Sequence, residues 1–264
     1  MSTRAELKSR AKEQLKGNIG IVFLCALVIF AISLGVNLAL FWAPSIASIA
    51  DFLITPAFIL SITMIFLALT RGIRPRVADV FKGFGMFGKA LLLQLLMTFF
   101  LFMWSLIALI PMAIMLTQFF SYSFDMIIHN GAFTEELYLL QDMMYIRQLL
   151  AIILVTSLAM IPMYIKYFSY SMSYYVLAEN PCINAIGSLN ESKRIMKGHK
   201  MRLFVLYLSF IWWWLLGIVT CGIAFIYVIP YVEMTVANFY LDIRQKPEEE
   251  QLEAAETEAE VEPV

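Results

Sequence analysis

The sequence predicts an all-α fold: a six-helix transmembrane bundle with juxtamembrane amphipathic helices on its cytoplasmic side and both termini inside. Three observations predict it. The chain is 61% hydrophobic with a mean hydropathy of +0.78, against roughly 45–50% apolar residues in soluble domains, and the excess lies in long uninterrupted runs. Seventeen of the 19 Lys and Arg residues fall on one side of the predicted crossings. Short segments with helical apolar spacing lie beside the basic clusters.

The first predicted element is a basic amphipathic interfacial helix within residues 1–18. Thr3 and Glu6 have capping-box spacing. Leu7, Ala11 and Leu15 form an apolar stripe at i, i+4, and Arg4, Lys8, Lys12 and Lys16 form a basic stripe at the same spacing. Gly17-Asn18 is a stop signal. The basic stripe suits anionic headgroups of the inner leaflet, although topology determinants would carry the same charges.

The membrane domain is predicted over 19–244. Residues 19–42 carry no charge and are long enough to span at about 1.5 Å per residue. A cleaved signal peptide is the rival reading. The run exceeds the roughly 7–15 residues of a signal core, and Glu6 and Glu13 precede it, so an uncleaved anchor is expected. Further spans are expected near 52–70, entered through Thr55-Pro56, and 90–116, with Pro111 near its far end. The span near 149–178 is interrupted by Pro162 and Lys166. Residues 203–219 and 222–241 form a closing hairpin, split at Thr220-Cys221-Gly222. Asn37, Gln94 and Gln118 are polar side chains near the spans and are expected to form interhelical hydrogen bonds.

Short loops rich in Lys and Arg stay in the cytoplasm. Arg71, Arg74 and Arg76 mark one such segment, and Lys193, Arg194, Lys197, Lys200 and Arg202 another. With Arg4, Lys8, Lys12 and Lys16 they are the candidate contacts for anionic lipid. Val77–Phe87, with Val80, Phe81, Phe84 and Phe87 on one side, and Ile183–Met196 are two more amphipathic pieces. Residues 77–111 and 183–217 echo one another in pattern only. The outer segment Thr117–Gln148 is expected not to span but to pack on the outer surface, with Thr134 capping a helix that opens on Glu135-Glu136. Residues 1–247 carry a net +7 and the eight Glu of 248–264 oppose it. That tail, 245–264, is expected to be disordered because it cannot bury a core. The basic excess is juxtamembrane and not a nucleic-acid stripe.

Certain residues together resemble the bacterial integral membrane family called domain of unknown function 975. They are Arg4-x-x-Leu7-Lys8-x-x-Ala11-Lys12-x-x-Leu15-Lys16-Gly17-Asn18, then Asp79-x-Phe81-x-Gly83-Phe84 and Asn180-Pro181. Ser192-Lys193-x-x-Met196-x-Gly198-x-Lys200, Leu203-Phe204, Pro230-Tyr231 and Asn238-Phe239-Tyr240 complete the set. The resemblance covers most of 4–106 and 160–244. Trp212 stands where the family commonly has Gly, and about 107–160 looks like an insertion relative to shorter members. The resemblance implies a fold and a location in the cell membrane. It implies no activity.

Several chemistries fail on context. Gly83-x-Gly85-x-x-Gly88 matches the dinucleotide fingerprint by letter, but no strand precedes it and a span follows. His129 and His199 are predicted on opposite sides of the membrane, and no Cys pair has metal-ligand spacing. Ser9-x-x-Lys12 lacks companion motifs. Glu135-Glu136 begins a membrane-protease pattern that Leu140 breaks. No cofactor is implied. Two ionisable groups remain within the spans, Lys166 and Glu233, and intramembrane charges are usually paired or functional. They form a candidate ion pair; alternatively, Lys166 snorkels to the interface. The expected role is a non-enzymatic accessory protein at the inner leaflet, with the lipid bilayer and a membrane protein as partners and no nucleic acid. The alternative is a small transporter or lipid-handling permease with a polar site near Lys166 and Glu233.

Overall fold

The computed structural model describes the backbone of residues 2–128 and 135–261, and side chains over the same range except 122–123, 125–127, 135–142 and 245–261. In chain order the α-helices are α1 (Arg4–Leu15), α2 (Ile19–Ala39), α3 (Pro44–Thr70), α4 (Phe87–Ser105), α5 (Leu109–Ile128) and α6 (Glu135–Ala159). They continue as α7 (Ile161–Tyr170), α8 (Ser173–Glu179), α9 (Ala185–Ile195), α10 (Lys200–Leu208), α11 (Ile211–Val219) and α12 (Phe225–Val261). Tight 3-10 segments cover Val77–Met86 and Leu106–Ala108, and the described residues include no strand. Among the described residues, five helical stretches are long and apolar enough to cross a membrane: Ile19–Ala39, Pro44–Thr70, Val77–Ser121, Met143–Glu179 and Lys200–Val219. The start of α12, expected to be a sixth span, falls short because Glu233, Asn238 and Asp242 interrupt its apolar run.

The chain divides into two units, one of residues 1–96 and 168–264 and the other of 97–167. Unit 1 is densely packed. Its core joins Leu7, Ala11 and Leu15 of α1 to Phe58, Phe66 and Leu69 of α3, to Met172 and Tyr175, and to Val232, Ala237, Phe239 and Tyr240 of α12. Small residues set the close approaches, as expected where lipid tails are as apolar as the helices they surround. Gly83 is the sharpest case. A Cβ there would meet the Ala57 carbonyl oxygen at 2.1 Å, and the Gly83 N–H donates to Ser61 Oγ at 2.8 Å. This glycine of the dinucleotide-like fingerprint lets the 3-10 segment lie directly on α3. Gly85 and Gly88 have open space where a Cβ would be.

The capping box predicted at Thr3 and Glu6 is present, and α1 ends at Leu15. Its setting differs from the expectation of an interfacial helix. Leu7, Ala11 and Leu15 are almost fully buried within unit 1, so the apolar stripe faces protein and not headgroups. The expected interhelical hydrogen bonds form at Asn37, which donates to Asp51 at 2.6 Å, and at Gln94, which accepts from Tyr174 at 2.8 Å. Gln118 makes none among the described residues.

Unit 2 is a helical pair made from the end of α4, Leu106–Ala108, α5, α6 and the start of α7. The predicted span 90–116 breaks at Leu106–Ala108. Pro111 has no N–H to give the Ile107 carbonyl, and its ring crowds the preceding turn. The predicted span 149–178 breaks at Met160, two residues before Pro162, for the same reason. Most of the outer segment 117–148 is helical: α5 reaches Ile128 and α6 opens at Glu135. The Thr134 cap and His129 lie outside the described residues.

The tail also departs from expectation, because α12 runs on to Val261. Glu, Ala, Gln and Leu are strong helix formers, and extending an existing helix needs no new nucleus. The absence of a core to bury forbids a globular tail and does not forbid a helix.

Candidate functional site

The polar side chains of unit 1 converge where α3, α8 and α12 meet. Glu179 ends α8, Arg71 follows the last turn of α3, and Tyr240 and Arg244 lie one turn apart on α12. Arg71 Nη2 donates to Glu179 Oε1 at 2.9 Å, while Arg244 ion-pairs with Glu179 Oε2. The Tyr240 hydroxyl donates to Glu179 Oε2 at 2.7 Å and accepts from Arg244 at 2.9 Å. One carboxylate thus holds three helices. Glu179 is 18% exposed, so water screens it little.

The chain of polar groups continues inward. The Tyr240 ring stacks on Tyr175, with centroids 5.2 Å apart. Glu233 lies close to Tyr175. Glu233 therefore has a neighbour of its own within unit 1. Lys166 belongs to unit 2, where its ammonium stands 4.9 Å from the centroid of the Trp104 ring. Each of the two ionisable groups expected within spans has a neighbour inside its own unit.

A second cluster fastens α1. The Ser2 N–H donates to Asp242 Oδ1 at 2.8 Å, and Arg202 reaches both Asp242 Oδ2, at 2.6 Å, and the Ser2 carbonyl. Burial raises the Asp242 carboxyl, but the hydrogen bonds from Ser2 and the Arg202 guanidinium outweigh it and hold its pKa below the usual 3.8. Asn238 donates to Gln14 at 2.6 Å. Lys8 donates to the Ser209 carbonyl at 2.9 Å and lies 4.0 Å from the centroid of the Phe210 ring. The helix breaks at Ser209-Phe210 between α10 and α11, which frees that carbonyl, and Lys8 satisfies it. Burial, then the nearby Arg4 charge, push the Lys8 ammonium below its usual 10.5.

The candidate lipid contacts therefore divide. Lys8, Arg71, Arg194 and Arg202 are engaged with protein groups, Arg194 through Glu191 at 2.6 Å. Lys193 donates to Asn190 and lies near the Tyr170 ring. Arg4, Lys12, Lys16, Arg74, Arg76 and Lys197 are exposed, and Lys200 is half-exposed. Sequence reasoning missed Glu179, Tyr240, Tyr175 and Asp242. The only available signal was an acid at the end of a span next to Asn180-Pro181, and nothing in the spacing ties it to Arg71.

The residues of the resemblance fall on these contacts. Ala11 and Leu15 are buried, Gly83 touches α3, and Ser192 Oγ donates to the Ser169 carbonyl at 2.8 Å and accepts from the Met172 N–H. Tyr240 holds Glu179. The family described as "Protein of unknown function (DUF975)" matches residues 1–247. The chain belongs to the DUF975 family. Among curated proteins and solved structures nothing matches it. Every motif quoted for the DUF975 resemblance lies in unit 1, whereas the stretch 107–160 lies in unit 2. Trp212, at the position where the family commonly has Gly, is 77% exposed and makes no close crossing. Gly217 makes one instead, since a Cβ there would meet the Phe225 ring at 2.0 Å.

Proposed function

We propose that this DUF975 chain is a six-span protein of the bacterial cytoplasmic membrane with both termini inside, and that it is a non-enzymatic accessory protein acting at the inner leaflet. The observation that carries the reading is the division of its basic residues. Those at the joints of unit 1 are tied to Glu179, Asp242 and Ser209, while Arg4, Lys12, Lys16, Arg74, Arg76 and Lys197 remain exposed. An exposed basic surface suits binding to anionic lipid or to an acidic partner, each charge adding about 1 kcal/mol near the surface. The sixth span is α12. A helix wrapped by protein tolerates Glu233 and Asn238 better than one facing lipid.

Two exposed native cysteines report the topology. Cys182 and Cys221 are exposed and Cys25 is buried. On intact cells an impermeant thiol reagent is expected to label Cys221 and spare Cys182, and a Lys246→Cys variant to be spared as well. Labelling of Lys246→Cys would remove the sixth span. The role is tested by extraction into native-lipid nanodiscs and mass spectrometry of what co-purifies. A stoichiometric protein partner lost from an Arg4→Glu/Lys12→Glu/Lys16→Glu variant is the expected result. Deleting residues 1–18 is the wrong test, because α1 belongs to the core.

One observation favours a second reading, a small transporter or lipid-handling permease. Glu233 is an ionisable group within the proposed sixth span and lies close to Tyr175. A solute retained by the wild type and lost from Glu233→Gln, with no protein partner found, would carry that reading over the first.

A further inference from the structure

The hairpin of α2 and α3, within unit 1, has one basic end and one acidic end. Lys16 precedes α2 and Arg71 follows α3. Near the other end, seven residues into α3, stands Asp51. It lies 20 residues before Arg71, about 30 Å of helix, so the basic end does not reach it. Among the described residues of unit 1 no Lys or Arg pairs with Asp51. Lys246 follows Arg244, which joins Glu179 and Arg71 at the basic end. The groups around Asp51 have spent their donors. Asn37 on α2 gives its amide hydrogens to Asp51 Oδ2, at 2.6 Å, and to the Ser33 carbonyl, at 2.8 Å. The Ser48 hydroxyl donates to the Pro44 carbonyl at 3.0 Å, and the Thr55 hydroxyl to the Asp51 carbonyl at 2.6 Å. Pro56 has no N–H to give the Phe52 carbonyl. Asp51 Oδ1 is turned inward and accepts no hydrogen bond among the described residues. Ser48, Asp51 and Thr55 share one face of α3, at i, i+3 and i+7. Asn37, Ser48 and Thr55 are exposed and Asp51 is half-buried. The face thus presents a carboxylate and acceptors, set among exposed Leu34, Leu38, Ile49 and Phe52. Because α3 is long and apolar enough to cross a membrane, the carboxylate is costly unless paired. Its complement is a cation that donates hydrogen bonds.

We infer that this face of the α2–α3 hairpin docks a transmembrane helix of a partner protein, one that carries a Lys or Arg level with Asp51. The inference rests on the accessory reading and deepens it by giving the partner a surface and a charge. Depth and shape select a helix as the occupant. Phe41 and Trp42 are exposed just before α3 begins, where aromatic side chains mark the membrane interface. Asp51 lies about 10 Å further along the helix, below a headgroup layer of about 5–8 Å. A lipid ammonium stays in that layer, whereas a Lys or Arg on a neighbouring helix meets Asp51 from within the bilayer. A bare ion needs several converging oxygens, which one carboxylate on an exposed helix face does not offer. A helix laid along the face also covers Leu34, Leu38, Ile49 and Phe52, and polar contacts of this kind hold helices together in lipid. Nothing in the inference depends on which side of the membrane this end faces.

The test places the full chain in phosphatidylcholine vesicles with a synthetic transmembrane helix of about 21 Leu and Ala residues. The peptide carries one Lys about two turns from an end, or Gln at the same position. Association is read by energy transfer from a dye on the peptide to a dye on the exposed cysteines of the protein. The Lys peptide is expected to associate about fivefold more tightly than the Gln peptide. Asp51→Asn still accepts from Asn37 and should remove the difference. Asp51→Lys should turn the preference to a peptide carrying Glu. The Lys and Gln peptides are compared on the wild-type chain, so a variant that fails to fold does not stop the test. Equal association of the two peptides with the wild type, or a preference that survives Asp51→Asn, overturns the inference. Loss of the preference when phosphatidylethanolamine replaces phosphatidylcholine also overturns it, and gives the site to a lipid ammonium. The accessory reading is judged apart, in the native-lipid nanodiscs. A stoichiometric partner retained unchanged by Asp51→Asn overturns the inference and leaves that reading standing, whereas the absence of any protein partner overturns both.

Discussion

Unit 1 and unit 2 both contain long apolar helices and differ in where those side chains go. Unit 1 buries Leu60, Leu93, Met172, Phe210, Phe239 and Tyr240 almost completely. Among the described residues of unit 2 only Ala108 and Pro111 are buried. What separates them is small residues and polar joints. Unit 1 has Gly83, Ala57, Ala11 and Ala237 at its contacts, and Glu179 and Asp242 tying distant helices together. Among its described residues, unit 2 has large exposed apolar side chains, and Lys166 lies in an apolar helical stretch. In lipid, association needs close packing and hydrogen bonds, because burial of apolar area gains little over contact with acyl chains. Unit 1 meets that requirement from its own residues, and unit 2 leaves its surface to lipid.

The largest effect expected from breaking this contrast is at Gly83. Gly83→Ala places a methyl group inside van der Waals contact of the Ala57 carbonyl and Ser61, so the 3-10 segment must lift from α3. A loss of about 3 kcal/mol or more is expected, read as loss of a monodisperse species and a lower unfolding temperature in detergent. Gly85→Ala, two residues on with open space at its Cβ, should be neutral. Next comes Leu15→Ala. Leu15 is 1% exposed, and its truncation should cost about 2–3 kcal/mol. A negligible cost would return α1 to the headgroups, where the sequence first places it.

Glu179→Gln is third. It keeps the shape and removes the charge that Arg71 and Arg244 share, and both arginines are partly exposed. The expected loss is about 1–2 kcal/mol, with Arg71→Met non-additive in a double-mutant cycle.

Much of this was legible in the sequence, and the missing parts have physical reasons. The Thr3–Glu6 cap, the end of α1 and the interruptions at Pro111 and Pro162 are local events, written in neighbouring residues. The destination of the Leu7–Ala11–Leu15 stripe is not local. An apolar stripe looks the same whether it meets lipid or α12, and only the tertiary contact decides. The Glu179 joint was hidden because Arg71 lies 108 residues before it. The count of spans was obscured at α12 by a compensation between levels. The polar residues that lower its hydropathy, Asn238 and Asp242, are the ones that bind Gln14, Ser2 and Arg202.

The smallest effect is a pH dependence confined to α1. The folded state depresses the Asp242 pKa below its usual 3.8. A depressed carboxyl contributes stability that is fully present above the unfolded value and is lost as pH falls through the folded one. The fastening of α1 should therefore be constant from neutral pH down to about pH 4 and weaken below it, by about 1 kcal/mol. Hydrogen exchange of the α1 amides reads this directly, since the helix can loosen while the rest of unit 1 stays folded. In Asp242→Asn the same amides should exchange faster at neutral pH and show no further change in acid. If acid loosens α1 equally in both proteins, the carboxylate is not what holds the N-terminus to α12. The buried stripe of Leu7, Ala11 and Leu15 would then account for all of the docking, and Ser2 and Arg202 would only mark where it ends.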